Sequence, residues 1–386
     1  MNVGASMTVV PASMATYVPL VLAAFFVALV TVGVLVPKVR SFALRVDAVQ
    51  LGGTKHGLGR RQHVGAIPNI GGIAILAGFL VALIVGSILA PQLLDGLRVE
   101  LLAIVLGGSL MALVGFIDDI WEVPAAMRLA TQFLAAGILV VNGVTIDFIT
   151  NYFGDSPYLF MPEMLAVALT LVWVVGFTNA FNFIDGLDGL SSGIAAISSM
   201  SLLAVALQFP DRGASVLILA ALAGAALGFL RHNFNPALIT MGDSGAYLLG
   251  YVLAAVSVLG ALKVTAAVTV AAPVLILALP VLNLTQVTVR RLRRGVNPAT
   301  AGNDHLHDLL RVRSGSPRVT VYVLWAATLV LGVLGMLLSQ TPPVLLMGTV
   351  VAAVLLIALV SYLRLREVGA GSPSLLSAYR DDREAR

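Results

Sequence analysis

Aspartates recur at short spacing inside otherwise apolar surroundings. The stretch "NAFNFIDGLDGLSSG", residues 179–193, follows an apolar run and carries polar side chains at every third position, which are Asn179, Asn182, Asp185 and Asp188. On a helix, residues three apart lie on adjoining faces, so Asp185 and Asp188 can approach one ligand together. Gly186 and Gly189 remove side-chain bulk beside each aspartate, which suits close approach of a phosphate or a sugar to the backbone.

Three further segments carry the same kinds of polar residue. "GFIDDIWEV" contains Asp118 and Asp119, "RHNFNPALITMGDSG" contains Asp243, and "NDHLHDLL" contains His305 and His307. Grouped carboxylates repel one another unless a cation neutralises them. Because the donors are carboxylate and amide oxygens and the chain has no cysteine, the pattern predicts Mg²⁺, with Mn²⁺ as a substitute.

The composition is that of a membrane protein. Of 386 residues, 59% are hydrophobic and 11% are charged, against about 25% charged in soluble domains. Apolar runs recur along the whole length, so we expect one membrane domain over residues 1–386. The absence of cysteine excludes disulfides and cysteine-ligated zinc or iron–sulfur sites. No basic region precedes the first apolar run, so we do not expect a cleaved secretory signal.

The apolar runs predict an all-α, polytopic integral membrane protein with about eleven transmembrane helices. The predicted spans lie near 17–36, 70–90, 100–117, 128–142, 163–178, 194–209, 214–231, 245–262, 265–289, 319–338 and 343–363.

Basic residues predict which side each loop faces. Residues 37–69 and 290–318 form two long basic loops, which the positive-inside rule places in the cytoplasm. With eleven spans, the N-terminus is then outside and the C-terminal tail, 369–386, is cytoplasmic. Only Arg98, Arg212 and Lys263 fall outside. The net charge of +4 therefore indicates topology, and we expect no nucleic-acid binding.

This topology brings the polar segments to one face of the membrane. The third, fifth, seventh and ninth predicted spans all end on the cytoplasmic side with one of these segments. Each segment alone has an ordinary explanation, such as a solvated helix end or a glycine-rich turn. The arginines of 290–294, in the second basic loop, are explained by topology and by contact with anionic lipid. Their joint placement favours a site at which a cation and basic residues neutralise moving phosphate charge, as in phosphoryl transfer.

The motifs resemble those of the polyprenyl-phosphate N-acetylhexosamine-1-phosphate transferases. "GFIDDI", "NAFNFIDGLDGL", "NFNPALITMGDSG" and "HLH" stand as successive signatures, and "RRQHVGAIPNIGGIAI" resembles the segment that enters the second span. The resemblance runs from about Asp47 to the tenth span. It implies Mg²⁺-dependent transfer of an amino-sugar 1-phosphate from a UDP-sugar to polyprenyl phosphate at the cytoplasmic face of the plasma membrane. It also implies a homodimer.

The resemblance implies roles for matching residues. Asp243 and Asn182 would contact Mg²⁺ and the diphosphate, and Asp118, with Asp119 beside it, would assist deprotonation of the lipid phosphate. The other implied contacts are Asp185 and Asp188 at the nucleotide-sugar and metal site, Asn233 at the uridine, Arg128 where a phosphate-binding lysine is usual, His305 and His307 at the sugar or diphosphate, and Asn179 among the substrate-binding residues.

The sequence departs from the family pattern at the rim of this site. Thr240 stands where a phenylalanine is usual, Asn283 replaces an aspartate, and Asp308 replaces a third histidine. Ala246 stands in place of a serine, Ala301-Gly302-Asn303 in place of "ADR", and residues 48–56 look like an insertion. The metal-binding core is intact, whereas the residues that recognise the donor differ.

The leading hypothesis is transfer of N-acetylglucosamine 1-phosphate, or a close amino sugar, in the branch that starts cell-envelope polysaccharides, O antigen or teichoic-acid linkage. The alternative is the phospho-MurNAc-pentapeptide branch of peptidoglycan synthesis, whose "HHHFE" run is not matched by "HLHD". A secondary transporter and a non-enzymatic lipid-binding scaffold are the other classes. The residues leave direct attack and a covalent intermediate both open, and we favour direct attack.

Overall fold

The computed structural model describes residues 12–46, 48–51, 66–91, 98–150, 158–209, 211–261, 271–297, 302 and 304–369. Within these residues the chain forms α1 (Ala12–Arg45), β1 (Val49–Leu51), β2 (Ala66–Pro68), α2 (Gly72–Leu89), α3 (Arg98–Trp121), α4 (Ala125–Val141), β3 (Phe148–Thr150), β4 (Tyr158–Phe160), α5 (Glu163–Ile184), α6 (Leu190–Ala206), α7 (Gly213–Asn233), α8 (Gly242–Ala261), α9 (Ala271–Ile276), α10 (Ala278–Arg293), α11 (Leu306–Ser314), α12 (Pro317–Leu338) and α13 (Pro343–Gly369). The strands form two antiparallel hairpins, β1 with β2 and β3 with β4.

The prediction of an all-α polytopic membrane protein is confirmed. Among the described residues, eight helices are long and apolar enough to cross a membrane, namely α1, α2, α3, α5, α7, α8, α12 and α13. The helices α4 and α6 are apolar but shorter. Ten of the predicted spans therefore correspond to single helices. Which side each end faces stays a prediction.

The ninth predicted span, 265–289, is not a single helix. Its described part is divided at Leu277 into α9 and α10, while residues 265–270 lie outside the described residues. Pro280 explains the break, because proline has no N–H to donate to the carbonyl four residues earlier and its ring clashes with it. That carbonyl belongs to Ile276, and the Ser198 hydroxyl of α6 donates to it at 3.3 Å instead.

Helices extend into both of the predicted basic loops. The helix α1 continues through residues 37–45, and α10, α11 and the start of α12 occupy much of 290–318. Hydropathy marks only the part of a helix that lies inside the bilayer. The helix continues beyond the bilayer when the polar side chains at its end have hydrogen-bond partners. Arg40, near the end of α1, donates from Nε to the Leu238 carbonyl at 3.1 Å. Lys55, Arg60 and Arg61 lie outside the described residues.

The segment that resembles an insertion is only partly described. Residues 48–51 include β1, which pairs with β2, so that Val49 faces Pro68. Residues 52–56 lie outside the described residues. So do residues 370–386 of the predicted tail, which begins at the last residue of α13.

Helix α7 lies at the centre of the bundle. Its apolar stretch is entirely buried in the protein, and its small residues allow other backbones to come close. A Cβ on Gly224 would lie 2.1 Å from the Phe25 carbonyl oxygen of α1, and one on Gly228 would lie 2.6 Å from that of Leu29. Glycines four residues apart are a common contact surface between membrane helices.

Candidate active site

Asp118 and Arg128 join the end of α3 to the start of α4. The Arg128 guanidinium donates from Nη1 to Asp118 Oδ2 at 2.9 Å. Asp118 Oδ1 accepts the Val123 backbone N–H at 2.6 Å, so the turn between the two helices is held by one carboxylate. The same Nη1 lies 3.8 Å from Asp243 Oδ2. One cation therefore lies between two carboxylates from different helices.

Asp243 is the second carboxylate of this cluster, and it lies in the first turn of α8. Asn182, near the end of α5, donates from Nδ2 to Asp243 Oδ1 at 2.7 Å. The carboxylates of Asp118 and Asp243 lie within hydrogen-bonding reach of each other. The side chains of Asp243 and Arg128 are 27% and 32% exposed, against 7% for Asp118. A ligand therefore meets Asp243 and Arg128 first, with Asp118 beneath them.

Asp119 faces the protein backbone rather than the open side of the cluster. Its Oδ1 accepts the Asp243 backbone N–H at 2.9 Å, and its Oδ2 accepts that of Ser244 at 3.2 Å. A carboxylate at these positions caps α8 and stabilises the positive end of its dipole. Asn69 donates to Asp119 Oδ1 at 2.9 Å. In turn, the Thr240 hydroxyl lies 2.6 Å from Asn69 Oδ1.

The helical spacing argument for Asp185 and Asp188 was wrong, because α5 ends at Ile184 and residues 185–189 form the turn before α6. Asp185 accepts a hydrogen bond from the Ser191 hydroxyl. Asp188 is buried, and its Oδ2 accepts Asn235 Nδ2 at 2.9 Å and the Ala237 N–H at 3.1 Å. The turn therefore directs the Asp188 contacts toward the segment that links α7 to α8.

Asn233 also fastens this linking segment. It is buried, and its Oδ1 accepts the Gly189 N–H and the Ser192 hydroxyl, both at 3.0 Å. Its Nδ2 donates to the Ile239 carbonyl at 3.0 Å. These contacts join the end of α7, the start of α6 and the approach to α8, so Asn233 acts on the site through the backbone in this structure.

Gly186 and Gly189 have different uses from the one that the sequence suggested. A Cβ on Gly186 would lie 2.0 Å from Nε2 of His307, so the glycine makes room for an imidazole of the protein. Gly189 has a φ of +80° at the N-cap of α6, a conformation that favours glycine. Both glycines are explained by the protein's own packing.

His305 and His307 lie against the α5 end of the site. Their rings stack with centroids 5.3 Å apart, and the edge of His305 meets Phe183 at 5.6 Å. His307 is fully buried, with its Nε2 3.7 Å from Asp308 Oδ1. The structure thus places both histidines beside residues 183–186, which follow Asn182 in the chain. His305 contacts Phe183, and His307 lies against Gly186.

Two contacts from α10 hold the histidine-bearing segment in place. The buried Asn283 accepts the Leu306 N–H at 2.9 Å through Oδ1. Arg291 donates to both Asp304 oxygens, from Nη2 at 2.6 Å and from Nε at 3.2 Å. This guanidinium lowers the pKa of the Asp304 carboxyl, since it stabilises the charged form. Asn303 lies outside the described residues.

Comparison with known proteins identifies the family. The model for "Glycosyl transferase family 4" matches residues 101–261. The chain is 32% identical over 311 residues to a probable undecaprenyl-phosphate N-acetylglucosaminyl 1-phosphate transferase of Bacillus subtilis, covering 79% of this chain and 81% of that protein. The chain belongs to glycosyl transferase family 4. This confirms the resemblance that the motifs indicated.

Two further relatives of this family 4 protein are named for different transferred groups. A decaprenyl-phosphate N-acetylglucosaminephosphotransferase of Mycolicibacterium smegmatis is 32% identical over 355 residues, covering 86% of this chain and 87% of that protein. A phospho-N-acetylmuramoyl-pentapeptide-transferase of Chlamydia felis is 32% identical over 216 residues, covering 50% of this chain and 59% of that protein. The relatives named for N-acetylglucosamine match over the longer part of the chain.

The carboxylates of this family 4 protein form only part of a divalent-cation site, which substrate phosphates would have to complete. Among the described residues, no group of three or more histidines and carboxylates is arranged as a complete metal site. However, Mg²⁺ is commonly held by one or two carboxylates together with substrate phosphates. Asp243 and Asp118, which lie within hydrogen-bonding reach of each other, supply such a partial set of oxygen ligands, and Asn182 donates from Nδ2 to Asp243 at 2.7 Å.

Four residues around the cluster were missed by the sequence reasoning. Asn69 supports Asp119, Ser191 supports Asp185, and the Tyr247 hydroxyl lies within hydrogen-bonding reach of Arg128. Gln132 and Asn179 exchange amide hydrogen bonds of 2.6 and 3.2 Å. Tyr247 had a usable signal, because it lies four residues after Asp243 and so shares its helix face.

Basic residues of the family 4 protein also fasten the segment between α7 and α8. Arg364 donates to the Pro236 carbonyl at 2.6 Å, and Arg318 donates from Nε to Asn235 Oδ1 at 3.2 Å. With Arg40, they reach this segment from α1, α12 and α13. These arginines, which the sequence analysis explained by membrane topology, therefore also hold the segment between α7 and α8 in place.

Proposed function

We propose that the protein transfers N-acetylglucosamine 1-phosphate, or a close amino-sugar 1-phosphate, from a UDP-sugar to polyprenyl phosphate and releases UMP. The observation that carries the proposal is the placement of Arg128 between Asp118 and Asp243. Two carboxylates around one cation, at the end of a membrane bundle, suit a phosphorylated lipid that meets a soluble diphosphate. The names of the Bacillus subtilis and Mycolicibacterium smegmatis relatives support the sugar and the lipid.

In the proposed reaction, an oxygen of the lipid phosphate attacks the β-phosphorus of the UDP-sugar. A new phosphorus–oxygen bond forms, and the bond from the β-phosphorus to the oxygen bridging it to the α-phosphorus breaks. That oxygen leaves on UMP with the bonding electron pair. Asp118 accepts the proton of a monoprotonated lipid phosphate, while the Arg128 guanidinium orients phosphate oxygens at the mouth of the site. Direct attack is favoured because the lipid phosphate is already a nucleophile.

Asp243 and Asn182 would hold Mg²⁺, with Mn²⁺ as a substitute. The bound cation would neutralise the diphosphate and stabilise the charge on the leaving UMP. Asn182 now presents Nδ2 to Asp243. Rotation of the amide about its terminal bond would present the Asn182 oxygen to the cation.

We place the site on the cytoplasmic side of the plasma membrane, in a step that starts cell-envelope polysaccharides. The supporting observation is that Arg40, Arg318 and Arg364 gather at the end of the bundle that carries the cluster. Because the chain has no cysteine, single cysteines at Arg313 and Asp147 test the topology directly. A membrane-impermeant maleimide added to intact cells should label position 147 and leave position 313 unlabelled, and the opposite pattern would reverse the topology.

The phospho-MurNAc-pentapeptide branch is the second candidate, which the Chlamydia felis relative supports over half of the chain. A donor panel separates the two. The purified protein receives undecaprenyl phosphate, Mg²⁺ and either UDP-N-acetylglucosamine or UDP-MurNAc-pentapeptide, and UMP release is measured. UMP release with the first donor alone supports the proposal, and release with the second alone replaces it by the peptidoglycan branch.

Asp243→Asn tests the assignment of the cluster in the same assay. The variant should lose activity by at least about 10²-fold, whereas Asp147→Asn, which changes an exposed aspartate outside the cluster, should keep wild-type turnover. Full activity of Asp243→Asn would contradict the cation assignment. A wild type that binds the lipid without turnover would favour a scaffold, and solute uptake by proteoliposomes without lipid product would favour a transporter. The homodimer stays a prediction that native mass spectrometry tests.

A further inference from the structure

Arg212 is a buried cation at one end of α7. The carboxylates of Asp118 and Asp243 lie near the other end of this helix. Arg212 is the N-cap residue of α7, whose 21 residues place it about 30 Å from Asn233 at the other end. Its exposed fraction is 5%. The helices that surround Arg212 do so with the ends that lie farthest from Asp118 and Asp243. Arg212 therefore takes no part in the proposed transfer site.

The Arg212 guanidinium is incompletely paired within the described part of the chain. Its Nε and Nη2 are buried and have no hydrogen-bond partner among the described residues. The Phe209 ring lies under the guanidinium, with 4.5 Å between the ring centroid and Cζ. The neighbouring carboxylate is that of Asp211, which is exposed. Leaving buried N–H groups unpaired is costly, and more so for a charged group.

The guanidinium remains charged despite its burial. Burial lowers the pKa of Arg212 to about 10, and the nearby Asp211 carboxylate opposes the shift. The side chain is therefore a cation at neutral pH. Arg212 also lies at the positive end of the α7 dipole, so two sources of positive potential coincide there.

A cavity of about 20 Å³ adjoins Arg212. Leu202, Leu219 and Val256 form apolar walls, and Ser215 and Ser257 add hydroxyl groups. A volume of this size holds about one water molecule, so it also accepts a single oxygen of a larger anion. The cavity is lined by the ends of α6, α7, α8 and α9.

We propose that Arg212 and this cavity bind a phosphate oxyanion at the membrane face opposite to the transfer site. One phosphate oxygen enters the cavity and accepts charge-assisted hydrogen bonds from both Nε and Nη2 of the guanidinium. The phosphate comes from a phospholipid headgroup or from solution. The site is independent of the proposed function, since the two lie at opposite ends of α7.

Thermal unfolding in a phosphate-free detergent tests the site and its two ligand sources. Wild type in dodecyl maltoside is titrated with dioleoyl-phosphatidylglycerol in one arm and with sodium phosphate, replacing chloride at constant ionic strength, in the other. We expect at least one of them to raise the Tm by about 2 °C or more. A response to the lipid alone identifies a headgroup site, and a response to phosphate alone identifies a site for the free anion.

Two variants show whether the response depends on Arg212. Arg212→Gln should abolish the rise in Tm, whereas Arg98→Gln, which removes an exposed arginine predicted on the same side, should respond like wild type. Equal responses of Arg212→Gln and wild type would overturn the proposal.

If Arg212→Gln does not fold, the proposal is tested with the variant Arg212→Lys and with the wild type alone. Arg212→Lys retains the charge without the planar fork, so its response should be weaker than that of wild type. Native mass spectrometry of wild type should show one retained phosphatidylglycerol when the lipid is the ligand. No response of wild type to either ligand would overturn the proposal without any variant.

Discussion

The Asp119 carboxylate accepts the backbone N–H of Asp243 at 2.9 Å. Adjacent aspartates at the end of α3 thus have different partners. Asp118 contacts the Arg128 side chain, whereas Asp119 holds the first turn of α8 in place. The position of the Asp243 carboxylate therefore depends on a residue that need not touch a substrate.

Replacing Asp119 should destabilise the protein as well as inactivate it. Asp119→Ala leaves the Asp243 and Ser244 N–H groups and the Asn69 amide without their acceptor, which we expect to lower the free energy of unfolding by about 2 kcal/mol. The measurement is the Tm in detergent, together with UMP release. Asp147→Ala, at an exposed site, is the matched control. An unchanged Tm for Asp119→Ala would contradict the capping role.

Arg128 should contribute to turnover through its charge and its position. Arg128→Ala removes the cation between Asp118 and Asp243, so we expect kcat to fall by about 10²-fold. Arg128→Lys keeps the charge, and it stands where the family resemblance implies a lysine, so it should retain activity within about tenfold of wild type. Arg313→Ala, at an exposed position in α11, is the control. Equal loss in the Ala and Lys variants would show that the guanidinium group matters more than the charge.

Gly115 should be intolerant of any side chain. A Cβ at this position would lie 2.4 Å from the Ser244 nitrogen and 2.5 Å from the Asp243 carbonyl carbon. Because these are backbone atoms, α3 and α8 must move apart, and Gly115→Ala should cost about 1–3 kcal/mol. Gly176→Ala is the matched control, since nothing lies within 4 Å of its Cβ. It should be neutral or stabilise α5 by up to about 1 kcal/mol. The Tm difference between the two variants checks this.

The Arg291–Asp304 ion pair should make stability depend on pH in the acid range. The pKa of Asp304 is lowered in the folded protein by Arg291. Its stabilisation is therefore present above the unfolded value of about 3.9 and is lost as the pH falls through the lower, folded value. A double-mutant cycle with Arg291→Gln and Asp304→Asn, followed by Tm, should give a coupling near neutral pH that decreases in acid. A coupling that is constant with pH would contradict the ion pair.

The spans and the gathering of polar segments were predictable from the sequence because both follow from local patterns. Apolar length located ten helices, and the ends of α3, α5 and α7 brought Asp118, Asn182 and Asn233 to one end of the bundle. The break at Leu277 had a local signal in Pro280, but a proline inside an apolar run does not by itself show whether the helix kinks or divides.

The uses of individual polar atoms were not predictable in the same way. Asp185 and Asp188 are each followed directly by a glycine, yet their partners differ. Asp185 accepts a hydrogen bond from the nearby Ser191, whereas Asp188 accepts one from the backbone N–H of Ala237, 49 residues further along the chain. Likewise, nothing near Asp119 indicates that its partners are the α8 backbone and Asn69. Such contacts depend on which segments meet in three dimensions, and a sequence pattern states only which side chains are polar.

The enclosure of α7 has a consequence for the order of biosynthesis. Five helices separate α1 from α7 in the chain, yet Gly224 and Gly228 lie directly against the α1 backbone at Phe25 and Leu29. Because synthesis proceeds from the N-terminus, α1 is released into the bilayer long before its permanent neighbour exists. Until then, lipid or an insertion factor must occupy the face of α1 that α7 will cover. A nascent chain that stops before α7 therefore lacks the buried helix that packs against α1, α2, α6, α8 and α13.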